Sequence, residues 1–425
     1  MMTSRRSIWA AFAIMLVDLL GRAGLDKVLA LAAGPAVVGL WAQLQSVVDV
    51  VSGVAAMGVL QGLTVTVSQA RSPEEERALL GTALRLALMT AGGAALALAA
   101  FSPLVSAWLT QGRIAPPLVA LAALAGCLAA VPAALNAFWL GKHLQQRMLG
   151  LALLLGLAWL LAGGAAWAGL PIAGMALAQA AALLLIAGPV WRHLGRLVRT
   201  GAPPAPREVQ GELAARLRNY IPVGLAIGIM SPASMLLIRG QLSGSLGWED
   251  VGYLQALWRT SEWVTSTAAG ALSLIFLPRV AAAWGTVRFR GELARAAGYV
   301  LLPSAVLLAL LYFFQHALLA ALYDAQFRVS DQTAALFLLG CWIRVASWVF
   351  LYGLFAAHRT AMIVLGELLS LPLLALMLRL YAPGMTLERM TAIYLAVYCV
   401  YLVFNAAALM WPARERRRHG NGPGA

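Results

Sequence analysis

The sequence predicts an all-α, polytopic membrane protein of about twelve transmembrane helices, arranged as two sets of six. Three observations predict it. Of the 425 residues, 61% are apolar and only 11% charged, against roughly 45–50% and about 25% in soluble domains, so the surplus apolar surface must face lipid. Apolar stretches long enough to cross about 30 Å of hydrocarbon recur twelve times. Lys and Arg fall between those stretches, so the net charge of +14 is a topology signal and not a nucleic-acid footprint.

The first set of spans covers 8–31, 37–66, 80–101, 117–140, 149–168 and 170–191. Arg5 and Arg6 precede the first span as they would in a signal peptide. Asp18, Arg22, Asp26 and Lys27 follow without a clear small-residue cleavage site, so a retained helix is expected. The second span opens at Val38-Gly39 and carries Asp49; the fourth contains Pro132. The second set covers 219–242, 251–278, 294–316, 333–356, 361–382 and 390–411. Its seventh span holds Pro222 and Pro232, the ninth Pro303 and the eleventh Pro372, each breaking the helical ladder and permitting a bend. The eighth opens at Val251-Gly252 and carries Arg259 and Glu262, the tenth carries Arg344, and the eleventh Glu367.

Counting Lys and Arg by side gives 22 on one, six on the other (Lys27, Arg113, Arg239, Arg328, Arg379 and Arg389) and three inside spans. The richer side is read as cytoplasmic, which puts both termini there. The division expected is a six-helix lobe over 1–191, a basic, proline-containing cytoplasmic linker over 192–218, a second lobe over 219–412 and a basic tail over 413–425. An even number of spans per half makes the halves parallel, so a repeat is expected. A weak one exists at an offset of 213: Val38-Gly39 matches Val251-Gly252, and Asp49 matches Glu262.

Charges within spans cost about 2.5–3.5 kcal/mol each near the centre, so they point to a bundle interior or a watery cavity. Asp18, Arg22 and Asp26 share one helical face, and Arg259 and Glu262 share another with Gln255 and Ser266. Mutual neutralisation for packing is one reading of these groups; a cavity lined with charge is the other. Arg22, Arg259 and Arg344 suit an anionic headgroup, since the guanidinium fork meets two phosphate oxygens at once. Gln255, Gln45 and Ser266 are expected to meet hydroxyls, and Trp41, Trp258 and Trp263 to stack on sugar rings or anchor at the interface. Asp18, Asp49, Glu262 and Glu367 are candidates for charge pairing or proton coupling. Cys127, Cys341 and Cys399 and the five histidines show no metal or disulfide spacing, and there is no phosphate-binding loop: Gly141-Lys142 runs into His143. No cofactor, metal or catalytic group is expected, and transport is the default.

Two segments carry a family resemblance. Residues 27–64, KVLALAAGPAVVGLWAQLQSVVDVVSGVAAMGVLQGLT, and residues 248–281, WEDVGYLQALWRTSEWVTSTAAGALSLIFLPRVA, resemble Wzx-type flippases of O-antigen and of enterobacterial common antigen (lipid III). These belong to the multidrug, oligosaccharidyl-lipid and polysaccharide exporter superfamily. The second segment follows the pattern W-(D/E)-(D/E)-V-G-x-x-Q-(G/A)-x-x-x-x-S-(D/E), which covers Gln255, Ser261 and Glu262; Arg259 falls at a variable position. The resemblance implies two six-helix lobes around a central cavity that opens alternately to each side. It also implies a bacterial inner-membrane location, and movement of a polyprenyl-pyrophosphate-linked glycan from the cytoplasmic to the periplasmic leaflet. Membrane lipid, a polysaccharide polymerase and chain-length proteins are the implied partners, with no nucleic acid. A cation-coupled drug exporter, a membrane glycosyltransferase or polymerase, and a non-transporting scaffold remain the alternatives.

Overall fold

The computed structural model of the protein describes residues 5–56, 59–70, 72–142, 144–199 and 228–411. Pro222, most of the expected linker (200–218) and the tail from 412 onward lie outside the described residues. Every regular element among the described residues is helical. This is what lipid demands, because only a helix satisfies its backbone polar groups within one segment.

The chain begins with α1 (Arg5–Ala56), 52 residues divided at Gly34, whose φ of 78° and ψ of 179° turn the chain back. Only glycine adopts this conformation without strain, and Pro35 then starts the second span with a preset φ. That span continues in α2 (Val59–Ser68), followed by α3 (Pro73–Ala100), the short α4 (Ser102–Leu109), α5 (Pro116–Gly141), α6 (Gln145–Trp167) and α7 (Ile172–Arg199). The start of α3 is fixed by Ser72, whose hydroxyl accepts the Glu75 N–H, with Pro73 in the first turn.

The second half repeats this plan. α8 (Met230–Leu246) ends at Gly247, with φ 93° and ψ 168°, and α9 (Trp248–Ala271) runs through a π turn (Leu272–Phe276) into α10 (Leu277–Ala283). α11 (Phe289–Phe313), the short α12 (Gln315–Leu322), α13 (Asp331–Ala356), α14 (Thr360–Leu368), α15 (Leu371–Leu380) and α16 (Leu387–Met410) complete the lobe. Ser330 and Thr386 cap α13 and α16 through their hydroxyls. The eleventh span breaks between α14 and α15 at Ser370, two residues before Pro372.

The structure extends the internal repeat well beyond the two matched motifs. Gly34 and Gly247 are 213 residues apart and share the same left-handed φ. Ser102–Leu109 and Gln315–Leu322 correspond at both ends with that offset, and α3 and α11 end 213 residues apart. From α5 onward the offset is 215, because the connector before α13 (323–330) is two residues longer than that before α5 (110–115). The result is two six-helix lobes around a central cavity, with eight described helical stretches long and apolar enough to cross a membrane.

The lobes meet closely where the second span of each half begins. A Cβ on Gly252 would fall 1.9 Å from the Pro35 carbonyl oxygen, and one on Gly39 would fall 2.9 Å from that of Trp248. Each of these contacts is the other transposed by the repeat, so the pseudo-two-fold axis passes between them. Glycine is needed at both positions because backbone lies directly opposite.

Candidate functional site

Between the lobes lies a cavity of about 550 Å³. Its N-terminal wall is built mainly from both halves of α1, with Trp159 of α6; its C-terminal wall comes from α8, α9, Arg344 of α13 and Leu371 of α15. Arg22, Gln45, Asp49, Gln255, Arg259, Glu262 and Arg344 all line it, so most of the charged residues singled out in sequence converge on one space.

Their partners differ. Arg22 pairs with Asp18 at 3.1 Å across one helical turn, and its guanidinium lies 5.2 Å from the Trp159 ring. Asp26 turns away from that pair and bonds Arg259 of the opposite lobe at 3.1 Å, while Arg259 also reaches Glu262 at 3.0 Å. Glu262 accepts a further bond from the Trp258 indole N–H at 3.1 Å. Gln45 exchanges two amide hydrogen bonds with Gln179 of α7, at 2.8 and 3.1 Å. The Asp49 carboxylate faces the cavity and makes no ion pair among the described residues.

Arg344 is only 7% exposed. Its Nη2 donates to Thr265 Oγ1 at 2.9 Å, and its guanidinium stands 5.1, 5.7 and 5.9 Å from the rings of Trp348, Trp258 and Tyr398. Its Nε finds no acceptor. Cation–π contact of this kind contributes about 2 kcal/mol when desolvated and so offsets part of the burial cost.

Three candidates lie apart from this space: Asp18, half-exposed beside Arg22, does not line it. Ser266 is exposed, does not line the cavity, and points its hydroxyl toward the Trp263 carbonyl at 3.5 Å. Glu367 sits within the C-terminal lobe and accepts from the Tyr401 hydroxyl at 2.9 Å, next to a bond from Asn405 to Ser347. Of the tryptophans, Trp41 and Trp258 are buried in the cavity wall, with Trp258 packed on Phe337 and Tyr394. Trp263 does not line it. Among the described residues no group of His, Cys, Asp and Glu could hold a metal ion.

One assignment needs correction. Arg239, counted among the six basic residues of the poorer side, is 8% exposed and lies in the cavity wall. It donates to the Ala42 carbonyl at 3.0 Å, to Ser46 Oγ at 2.5 Å and to Gln255 Oε1 at 2.6 Å. Its closeness to the end of its span concealed this, because hydropathy reports depth and not facing. The repeat was the signal that could have found it: Arg239 is 213 residues beyond Asp26, a charge already noted.

No protein-family profile matches the chain. The chain is similar to the lipid III flippase of Escherichia coli (strain K12), with 24% identity over 97% of this chain and all of the relative, and equally to that of Shigella flexneri. Among solved structures it superposes on the MATE multidrug transporter DinF-BH with a TM-score of 0.70, at 15% identity over 96% of this chain and 95% of that one. The lipid II flippase MurJ gives 0.69, at 11% identity over 95% and 87%. The two-lobed, roughly twelve-helix fold is therefore that of MOP-superfamily transporters, and the resemblance to lipid III flippases extends over nearly the whole chain.

Proposed function

We propose that this multi-pass membrane protein, with the fold of the MOP transporters and full-length similarity to lipid III flippases, is a flippase and not an enzyme. Its substrate is a polyprenyl-pyrophosphate-linked oligosaccharide, an O-antigen or enterobacterial common antigen-like repeat unit, carried from the cytoplasmic to the periplasmic leaflet of the inner membrane. The observation that carries this reading is the arginine-bearing polar cavity between the lobes.

The physical task fits that cavity. A diphosphate and several sugar hydroxyls must cross hydrocarbon while the prenyl tail stays in lipid, so the protein has to replace water around the headgroup. Arg344 supplies positive charge without a carboxylate partner, Arg22 and Arg259 add compensated charge, and Gln45 and Gln255 offer amides to hydroxyls. The lobes rock about their contact at Gly39 and Gly252, alternating access with both termini cytoplasmic. Asp49 and Glu367, the two candidate carboxylates with no arginine partner among the described residues, are the groups proposed to couple the cycle to protons.

The test is translocation of a fluorescent polyprenyl-pyrophosphate oligosaccharide in proteoliposomes, with and without a proton gradient. Wild type is expected to transport, Arg344→Gln to lose at least tenfold in rate, and Glu367→Gln to lose the response to the gradient. A wild type that moves none of several glycans overturns the flippase reading. Unpaired Asp49 in the cavity wall favours a second reading, export of an organic cation, and uptake of a cationic dye in the same vesicles separates the two.

A further inference from the structure

The turn between α10 and α11 is held in one shape, yet its apolar tip is uncovered. Gly285 reverses the chain with φ 77°. The Thr286 hydroxyl donates to the Ala283 carbonyl at 2.7 Å and accepts the Arg288 N–H at 3.3 Å. The Trp284 and Phe289 rings close the turn edge to face, with centroids 4.8 Å apart. At the tip Val287 is 99% exposed, and Trp284 beside it is 36% exposed.

A single exposed valine needs no explanation, but this one stands among free positive charges. Arg279, Arg288 and Arg290 are exposed and make no ion pair among the described residues. The stretch 277–295 contains one carboxylate, Glu292, and Arg295 takes it at 2.6 Å. Helix physics does not ask for arginine here. A helix N-terminus carries partial positive charge and disfavours cations, and Arg288 and Arg290 flank the start of α11.

The repeat shows what the same turn looks like when the helix alone decides. The offset of 213 holds before this loop, at Gly34 and Gly247, and after it, where α3 and α11 end. Val287, Arg288 and Phe289 therefore correspond to Glu74, Glu75 and Glu76. Those three acids fill the first turn of α3, where the helix dipole favours them. The second lobe carries an apolar tip and arginines in the place of that acidic turn.

The turn adjoins α11, a helix long and apolar enough to cross the membrane, and so lies at headgroup level. At that depth a tryptophan and a valine meet the upper acyl chains while arginines reach the phosphates. We propose that the turn over 279–290 is a docking site for anionic phospholipid, with Val287 and Trp284 dipping into the interface and Arg279, Arg288 and Arg290 holding headgroup phosphate. Glu74, Glu75 and Glu76 repel the same lipids, so only one lobe is tethered to the leaflet surface. The proposal does not draw on the flippase reading.

The experiment is native mass spectrometry of the full chain, titrated with phosphatidylglycerol or with phosphatidylcholine of the same acyl chains. Wild type is expected to bind its first phosphatidylglycerol at least tenfold more tightly than its first phosphatidylcholine. Arg288→Gln combined with Arg290→Gln should cut that preference at least fivefold, and Val287→Glu, at a position that touches nothing, at least threefold. Arg85→Gln combined with Arg147→Gln, exposed arginines of the first lobe, should cut it less than twofold. A second readout is depth in nanodiscs of phosphatidylglycerol, with Cys127, Cys341 and Cys399 replaced by alanine. A nitroxide attached through Val287→Cys should meet dissolved oxygen in preference to a water-soluble nickel chelate, and one attached through Glu74→Cys the reverse.

Equal affinity of wild type for the two lipids overturns the proposal, and this comparison needs no variant to fold. Equal losses in the two arginine pairs also overturn it, because they reduce the effect to the general positive charge of this side. Displacement of the lipid by excess glycerol 3-phosphate would reveal a site for soluble phosphate. A label at 287 that stays in water would leave the turn to a soluble partner protein. Either result overturns lipid docking.

Discussion

Asp26–Arg259 and Ser46–Arg239 are the same lobe-to-lobe contact seen twice, once in each sense of the internal repeat, yet they are built from different chemistry. In the first, a carboxylate of α1 meets an arginine of α9 at 3.1 Å. In the second, an arginine of α8 meets a hydroxyl of α1 at 2.5 Å and the Ala42 carbonyl beside it. The backbone keeps its symmetry while the charges abandon it. The compensated contact can act as an adhesive between lobes, whereas the neutral one leaves a positive charge in the cavity wall. The cargo proposed above, with anion and sugar at one end and lipid at the other, would fit such an asymmetric wall within a symmetric frame.

The sharpest way to break this comparison is to remove one partner from each contact. Asp26→Ala strands Arg259 with only the half-exposed Glu262, and breaking a buried ion pair costs about 3–5 kcal/mol. Ser46→Ala removes one hydrogen bond of several to Arg239 and should cost about 1–2 kcal/mol. Thermal unfolding in nanodiscs checks the order, and equal losses would show that the two contacts are energetically alike. The exchange Asp26→Arg with Arg259→Asp should recover most of the stability.

A second, smaller contrast lies on the axis itself. Gly252→Ala places a methyl 1.9 Å from the Pro35 carbonyl oxygen, and Gly39→Ala places one 2.9 Å from that of Trp248. Neither neighbour is a flexible side chain, so the lobes must separate. Overpacking costs of about 1–3 kcal/mol are expected, with Gly252 at the upper end. Both variants should also shift the balance between lobe arrangements, measurable as altered distances between spin labels placed on the two lobes. An unchanged distance in Gly252→Ala would mean that this contact does not set the spacing of the lobes.

Span number was legible in the sequence because lipid penalises charge so heavily that hydropathy alone marks the crossings. The parallel halves followed from the even count, and Val38-Gly39 against Val251-Gly252 already held the offset that the structure extends. Gathering Arg22, Asp49, Arg259, Glu262 and Arg344 into one cavity was also legible, since an intramembrane charge has few other places to go. The partners were not. Spacing along a helix reveals neighbours three or four residues away, as for Asp18 and Arg22, but Asp26 and Arg259 are 233 residues apart and meet only because the lobes do. Ser266 shows the converse error. It continues the stripe of Gln255 and Glu262 in angle, yet it is exposed and does not line the cavity, and no periodicity encodes that.

The smallest effect is expected on the N-terminal wall, and it tests whether that wall reads sugar or only encloses it. Gln45 lines the cavity, but both polar ends of its amide are engaged by Gln179. A hydroxyl competing for Gln45 must therefore break a reciprocal pair, which leaves little net gain from the new bond. Gln45→Ala should lower stability by about 1 kcal/mol through the stranded Gln179 and reduce glycan transport less than threefold. Gln255 contrasts with it: its carbonyl oxygen is held by Arg239, while no hydrogen bond from its amide group is seen among the described residues, so Gln255→Ala should reduce transport more. If Gln45→Ala proves the more damaging of the two in the same proteoliposome assay, the sugar is read by the N-terminal lobe, and the division of an enclosing wall from a binding wall must be reversed.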